Sequence, residues 1–386
     1  MECYPAGVKS FASRVIHWQQ CHGRHALPWQ SVAVDTSVPL VRSCKADRSA
    51  TTAPAPCGRP SRDPYRIWLS EIMLQQTQVA TVIPYFERFI ARFPTLPQLA
   101  AAHEDDVLAL WSGLGYYSRA RNLHAAARVI IEHHAGAFPE AAERIAQLPG
   151  VGRSTAAAVA ALAFGQHCAI LDGNVKRVLA RHGGVVGWPG DKKVEAELWQ
   201  LAESRLPSSS LKGTGAIEIY TQGMMDLGAL VCTRRQPACT ACPLSADCVA
   251  YIQSRTAELP TPRPKKVLPE RQVQMLLLLD RGELLLEKRP AQGIWGGMWS
   301  LPELPIDNDP AQHCLERFGL TAQSQHALPR LSHSFTHFKL HIQPVQLRLA
   351  PRRSTPAGQI WLPPADALDA ALPTPIRTLV TQLMGS

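Results

Sequence analysis

The chain of 386 residues lacks any apolar run close to the roughly 20 residues that cross a bilayer. Its longest apolar runs, such as residues 275–279, have the length of a buried strand. The first 20 residues also lack a long apolar core and a small-residue cleavage site. We therefore expect no signal peptide, no membrane partner and a cytoplasmic location.

The chain has fewer acidic than basic residues. The chain has 31 Asp and Glu against 40 Lys and Arg, which gives a formal net charge of +9. This excess permits a polyanionic partner such as DNA or RNA, but a merely basic protein fits equally well. The hydrophobic share of 46% excludes wholesale disorder, and the length suggests two or three domains.

The composition changes along the chain. Residues 32–62 are rich in Pro, Ser, Thr and Ala without any period, which indicates a flexible insertion or long loop. Residues 63–251 carry helical patterns separated by Gly and Pro. A proline-rich basic linker at 253–270 precedes strand patterns, clearest at 272–279, 283–289 and 338–347, with helices near 310–318 and 374–384. We predict a mostly α N-terminal region and a separate α+β C-terminal domain.

Four of the ten cysteines are closely spaced in the pattern C-x6-C-x2-C-x5-C: Cys232, Cys239, Cys242 and Cys248. Thiolates this close can ligate one ion or one cluster, and a protein that is not exported favours ligation over disulfides. Structural zinc usually takes two close pairs separated by a longer arm. The spacing therefore favours an iron–sulfur cluster, with zinc as the alternative.

A short turn lies between two predicted helices at residues 148–155. Gly150 and Gly152 allow a tight turn and a close approach to a partner. The following helix begins with free N–H groups, which favour a phosphate. An ordinary helix connection is the alternative interpretation.

Two carboxylates are candidates for catalysis. Glu71 lies mid-helix, and three of the four residues on its face are apolar: Ile67, Trp68 and Leu74. Loss of hydration would raise its pKa and suit a general acid, although a surface glutamate fits equally well. Asp172 precedes a predicted helix, so it is expected to be an N-cap whose carboxylate is held in place with a lowered pKa.

The chain resembles the MutY family of adenine DNA glycosylases, within the helix-hairpin-helix superfamily that includes endonuclease III. The resemblance covers nearly the whole chain except residues 31–62. It is carried, in the family's order, by residues 68–78 (WLSEIMLQQTQ), 113–117 (GLGYY), 148–155 (LPGVGRST), 171–177 (LDGNVKR) and the four cysteines.

The resemblance implies roles for these residues. Glu71 would protonate adenine, Asp172 would stabilise the sugar cation and Asn174 would orient both groups. Ser154 stands where bifunctional relatives carry a lysine, and a serine cannot form a Schiff base, so base removal without efficient strand cleavage is expected.

The resemblance also implies one [4Fe–4S] cluster on the four cysteines. Arg234 and Arg235 would then meet the DNA backbone, and Gly150, Gly152 and Ser154 would hold phosphate without reading sequence. The implied organisation is a cluster module at 1–31 and 171–252, the insertion at 32–62, a six-helix module with the hairpin at 63–170, the linker at 253–270 and a Nudix-like domain at 271–386.

Recognition of the base opposite adenine is implied at two places. Gln76 and Tyr116 would wedge beside 8-oxoguanine, and Thr77 would contact the DNA, although a half-buried core tyrosine is the alternative for Tyr116. A C-terminal loop would read the lesion through three residues: Phe335, Thr336 and His337. Thr336 stands where the family has serine, which keeps the hydroxyl and adds a methyl group. The candidate Nudix helix at 311–319 has one glutamate, so no nucleotide hydrolysis is expected.

The resulting prediction is a monomeric, bacterial, nucleoid-associated, monofunctional glycosylase. Its substrate is duplex DNA with adenine opposite 8-oxoguanine or guanine. One alternative is an endonuclease III-like glycosylase and lyase that acts on oxidised pyrimidines. A second is a non-enzymatic iron–sulfur protein that binds DNA.

Overall fold

The structure is a computed structural model that describes residues 10–30, 62–211, 214–264, 267–351 and 358–385. The predicted insertion at 32–62 lies outside the described residues, apart from Arg62. The chain divides into two compact units. Unit 1 comprises Met1–Ile90 and Val129–Pro264, and unit 2 comprises Ala91–Arg128 and Lys265–Ser386. The predicted five-part domain organisation stays a prediction.

Helices make up the regular structure of the described residues before position 265. Their bounds are α1 Phe11–His22, α2 Pro64–Leu74, α3 Val79–Arg92, α4 Leu96–Ala101, α5 Glu104–Trp111, α6 Ser118–His133, α7 Ala142–Ile145, α8 Arg153–Phe164, α9 Gly173–Gly183, α10 Lys192–Ser204, α11 Ala216–Leu230 and α12 Val249–Ile252.

The helices α1, α2, α9 and α10 of unit 1 begin where a side chain accepts a hydrogen bond from a free backbone N–H group. Asp63 accepts a hydrogen bond from the Tyr65 N–H at 2.9 Å, and Pro64 occupies the first position of α2. Gly165 and Gly184 end α8 and α9 in the left-handed conformation, which a glycine adopts without steric cost. These local signals fix the ends of the two helices that flank the candidate site.

One apolar core joins the first helix of unit 1 to α9 and α11. It includes Phe11 and Val15 from α1, Val178 from α9 and Leu227 from α11, all buried. At Gly228, an added Cβ would lie 2.6 Å from the Cβ of Asn174. The absence of a side chain at Gly228 therefore lets α11 approach the start of α9 closely.

The C-terminal part of unit 2 is built on a mixed sheet. Its strands and helices are β1 Glu270–Asp280, β2 Glu283–Lys288, β3 Trp299–Ser300, β4 Glu303–Leu304, α13 Pro310–Phe318, β5 Ala322–Ala327, β6 Leu331–Ser334, β7 Lys339–Leu349, β8 Gln359–Leu362, α14 Pro364–Ala367 and α15 Thr374–Met384.

The long strands β1 and β7 run parallel at the centre of this sheet, with Leu276 opposite Val345. The order along the main path is β3-β2-β1-β7-β5, and the other described pairings are antiparallel. Buried leucines of β1 and β7 pack on Cys314 of α13. The predicted fold class, helical and then α+β, is confirmed.

The sequence patterns missed eight short elements: α4, α12, α14, β3, β4, β5, β6 and β8. The strand β5 has the sequence AQSQHA, whose side chains after Ala322 are exposed, so it carries no apolar alternation to detect. Among the described residues, no helix has the length and hydrophobicity needed to span a bilayer.

Candidate active site

A cavity of about 580 Å³ in unit 1 brings the two predicted carboxylates together. Glu71 reaches it from the last turns of α2, and Asp172 from the N-cap of α9. Asn174, Ser154, Thr77 and Arg234 also line it. Residues distant in the sequence therefore share one site. Arg235 is exposed and lies outside the lining.

The carboxyl group of Glu71 is poorly hydrated. Burial, together with the smaller effect of the negative charge of Asp172, raises its pKa to about 8. Its side chain is only partly exposed, and none of the described residues is seen to donate a hydrogen bond to it. A protonated carboxylic acid at neutral pH is the form this environment favours, as the apolar helix face predicts.

Asp172 occupies a different environment. Its Oδ1 accepts the Val175 N–H at 2.7 Å as the N-cap of α9. Burial raises its pKa, while the backbone N–H groups of Val175 and Asn174 and the cations Arg177 and Lys176 lower it. The prediction of a net lowered pKa is therefore wrong, because the loss of hydration outweighs the cap.

Two hydroxyl groups of α8 anchor the segments that carry the carboxylates. The Ser154 hydroxyl accepts the Leu171 N–H at 2.9 Å, next to Asp172. The Thr155 hydroxyl accepts the Gln75 side-chain N–H at 3.2 Å, one turn beyond Glu71. Neither of these anchoring contacts was predicted from the sequence.

Asn174 is held by an arginine that sequence reasoning did not assign. Arg177 Nη2 donates to Asn174 Oδ1 at 2.8 Å and to the Gly228 carbonyl at 2.7 Å. Its Nε donates to the Cys232 carbonyl at 2.7 Å. The spacing of Asn174 and Arg177, three residues apart on α9, could have predicted this contact, since residues so spaced are neighbours on a helix.

A buried ion pair beside the cavity was not predicted from the sequence. The Asp226 side chain is fully buried and lies 2.6 Å from Arg24 Nη2, measured from Oδ1. Gln222 donates to the same carboxylate oxygen at 2.9 Å. Arg24 and Gln222 both line the cavity, as do the apolar side chains Leu27, Trp29, Leu74 and Val79.

The predicted hairpin joins α7 to α8. Gly150 has φ of 74°, a left-handed conformation that suits glycine, and Gly152 precedes α8 without a side-chain cap. Both glycines are exposed, and a Cβ on Gly152 would meet nothing within 4 Å. The first N–H groups of α8 are therefore accessible to a ligand such as phosphate.

The four predicted cysteines line one small cavity of about 20 Å³. No described carboxylate lines it, and Arg181 Nη1 lies 3.4 Å from the Cys232 sulfur. Across the described ranges, no three His, Cys, Asp or Glu side chains are arranged to hold a single metal ion. Arg181 also donates to the Thr233 and Arg234 carbonyls, which links this cavity to the candidate active site.

A second large cavity, of about 600 Å³, lies within unit 2. Tyr116 lines it together with Phe335, Thr336 and His337. Trp295, which the sequence did not single out, packs on Phe335 with ring centroids 5.5 Å apart. Tyr116 is 47% exposed on a turn, so it is not a core residue.

Gln76, like the predicted contacts Gly150, Gly152 and Arg235, lines neither large cavity. Its backbone is left-handed, with φ of 58°, and its side chain is exposed. Its neighbours Gln75 and Thr77 line the cavity in unit 1.

The helical N-terminal region and the C-terminal domain each match a known family. Residues 69–204 match the HhH-GPD superfamily of base excision DNA repair proteins, and residues 274–382 match the NUDIX domain. The class is thus a helix-hairpin-helix base excision repair protein with a second, Nudix-type domain. A solved thermostable thymine-DNA glycosylase has 27% identity and a TM-score of 0.48, covering 63% of this chain and 95% of that one.

Curated relatives narrow the class. The adenine DNA glycosylase of Buchnera aphidicola subsp. Acyrthosiphon pisum is 37% identical over 339 residues, 88% of this chain and 87% of that protein. The adenine DNA glycosylase of Mus musculus is 33% identical over 426 residues, 96% of this chain and 77% of the mouse protein. The chain belongs to the adenine DNA glycosylase family.

The raised pKa of Glu71 predicts a pH-dependent stability. A raised folded-state pKa contributes stability that is complete below about pH 4.5 and is lost as pH rises through about 8. Between pH 6 and 9, the free energy of unfolding of the wild-type protein should therefore fall by about 1 to 3 kcal/mol relative to that of Glu71→Gln. Urea unfolding at both pH values measures this. The exposed Glu197→Gln serves as control, and an equal pH response of wild type and Glu71→Gln would contradict the prediction.

Proposed function

We propose that this chain removes adenine mispaired with 8-oxoguanine or guanine from duplex DNA. Family membership makes it a DNA glycosylase that acts in base excision repair. The choice of mispair and the roles of individual residues are the proposal. The observation that carries it is the pairing of Glu71, protonated near neutral pH, with Asp172 in one cavity.

The chemistry divides between the two carboxyl groups. Glu71 donates its proton to a ring nitrogen of adenine, and the C1′–N9 bond breaks with its electron pair leaving on the base. Asp172 stabilises the oxocarbenium-like sugar that remains. A water molecule then adds to C1′ and gives up a proton, which restores the acid and leaves an abasic site.

The surroundings of the two carboxyl groups support Glu71 as the acid and Asp172 as the anion, rather than the opposite roles. Asp172 receives two backbone N–H groups and lies near Arg177 and Lys176, all of which favour the charged form. Glu71 has burial and a neighbouring negative charge, both of which favour the neutral form. Asp172 is therefore the better anion and Glu71 the better acid.

The rest of the cavity suits a flat purine that has left the helical stack. Its apolar walls, Leu27, Trp29, Leu74 and Val79, can bury the faces of a flipped base. The Gln222 amide can donate to or accept from the edge of the base. We assign these residues to holding adenine, with Asn174 fixed by Arg177 beside Asp172.

The lining also supports a glycosylase without efficient lyase activity. Among the described residues that line the cavity, none is a lysine. Ser154 instead accepts a hydrogen bond from the Leu171 N–H, so its hydroxyl has a positioning role. This favours hydrolysis over the endonuclease III-like alternative, which requires an amine nucleophile.

DNA would be held through phosphates. The uncapped start of α8 at Gly152, the turn at Gly150 and the arginines Arg234 and Arg235 supply the donors that grip a backbone without reading sequence. The opposite base would be read in unit 2, where Tyr116 and Thr336 line one aromatic cavity. Gln76 and Thr77 are assigned to the DNA beside it.

Cys232, Cys239, Cys242 and Cys248 would hold one [4Fe–4S] cluster. Four sulfur ligands facing one cavity without a carboxylate form a soft donor set that fits such a cluster. The cluster would act structurally, by fixing the loop that presents Arg234. Arg181 links the first cysteine to this loop through its hydrogen bonds. The module boundaries and the monomeric state remain predictions.

An assay on three different duplexes tests the proposed removal of mispaired adenine. Base release is followed under single-turnover conditions on A opposite 8-oxoguanine, A opposite G and A opposite T. We expect the first to be fastest and the third to remain uncut. Glu71→Gln should bind but lose roughly 10²- to 10⁴-fold in rate, because the general acid is gone.

Glu197→Gln, an exposed substitution on α10, is the matched control and should cut like wild type. Equal cutting of all three duplexes, or of none, would refute the proposal. Efficient borohydride trapping of a covalent DNA adduct would favour the lyase alternative instead.

Removal of one cysteine ligand tests the cluster. Wild type should contain about four irons per chain with visible absorbance, and Cys242→Ser should lose most of both. The exposed Cys21→Ser, outside the cysteine group, should keep them. A wild-type protein that holds one zinc ion and no iron, or a Cys242→Ser variant with full iron, would contradict the assignment.

A further inference from the structure

The turn that carries Tyr116 has a tightly constrained backbone. Gly113, Gly115 and Tyr116 all have positive φ, at 98°, 77° and 48°. The Gly115 carbonyl accepts hydrogen bonds from Trp111 Nε1 and from Arg119 Nη2, both at 3.2 Å. These hydrogen bonds join the turn to the end of α5 and the start of α6.

A buried hydroxyl joins the start of this turn to the C-terminal part of unit 2. Ser112, 8% exposed, donates from Oγ to the Leu372 carbonyl at 2.5 Å. The same oxygen accepts hydrogen bonds from Arg377 of α15, at 3.2 Å from Nε and 3.0 Å from Nη2. Arg377 Nη2 also lies 3.4 Å from the Ala370 carbonyl. Ser112 immediately precedes Gly113, so this junction fixes one end of the turn.

The other end of the turn is joined to the same part of unit 2. Arg121, in the first turn of α6, donates to the Gly296 carbonyl. Gly296 follows Trp295, whose ring packs on both Phe335 and His333. The two junctions therefore join the Tyr116 turn on either side to segments whose residues Thr374 and Trp295 line the same cavity as Phe335.

We propose that the Ser112–Arg377 junction is a specificity determinant that sets Tyr116 against the loop of Phe335, Thr336 and His337. This rests on the proposed function, in which that cavity reads the base opposite adenine. Arg377 and Ser112 are positioning residues, because neither carries out the chemistry nor lines the cavity. Loss of either residue lets Tyr116 shift away from the loop of Phe335, Thr336 and His337. Small displacements of positioning groups have large effects on rate.

The adenine cavity in unit 1 is built from other residues, so the junction should affect discrimination more than base release itself. Arg377→Ala and Ser112→Ala should each lower the ratio of rates on A:8-oxoguanine and A:G by roughly tenfold. The rate on A:G should stay within about twofold of wild type. Because both residues act through one contact, the double variant should be little worse than either single one.

Single-turnover rates on both duplexes and thermal unfolding of each variant provide the test. Arg330→Ala is the matched control, since Arg330 is an exposed arginine of the same part of unit 2 that bonds Gln343. It should keep the wild-type ratio. Arg377→Lys should recover part of the ratio, because an ammonium group can still donate to Ser112 Oγ.

A folded Ser112→Ala variant, which removes a single oxygen atom, with the wild-type ratio would overturn the inference. So would equal losses on both duplexes, which indicate a general structural role. A wild-type protein without preference for A:8-oxoguanine would instead refute the proposed function from which this inference starts. A preference in wild type that persists in both variants refutes the junction alone.

Discussion

The burial of Glu71 beside the charge of Asp172 is the constraint on which the rest of unit 1 depends. Two carboxyl groups in a poorly hydrated cavity cannot both ionise without cost, so one keeps its proton. The cap of α9 and the cations Arg177 and Lys176 direct the negative charge to Asp172. The close approach at Gly228 and the Ser154 hydroxyl hold the segments in place.

Much of this site could be predicted from short stretches of sequence. The apolar residues one turn from Glu71 indicated its lost hydration, and the position of Asp172 indicated an N-cap. The net pKa direction of Asp172 could not be predicted, because burial depends on packing by distant segments. Arg24 and Asp226 are 202 residues apart, and no local pattern connects them.

The fold shows the same division between local and distant information. Helical periodicity and the capping residues predicted most helices of unit 1. In the sheet, the strands with apolar runs, β1, β2 and β7, were predicted, while the exposed β5 was not. The parallel pairing of β1 with β7 joins segments about 70 residues apart, and only the folded chain fixes its register.

The pH dependence of adenine release under single-turnover conditions tests the protonated Glu71 most directly. The rate should be constant near neutral pH and fall about tenfold per pH unit above about 8, as the proton is lost. In Glu71→Gln the residual rate should show no such fall. A wild-type rate that stays constant up to pH 10 would contradict the assignment of Glu71 as the acid.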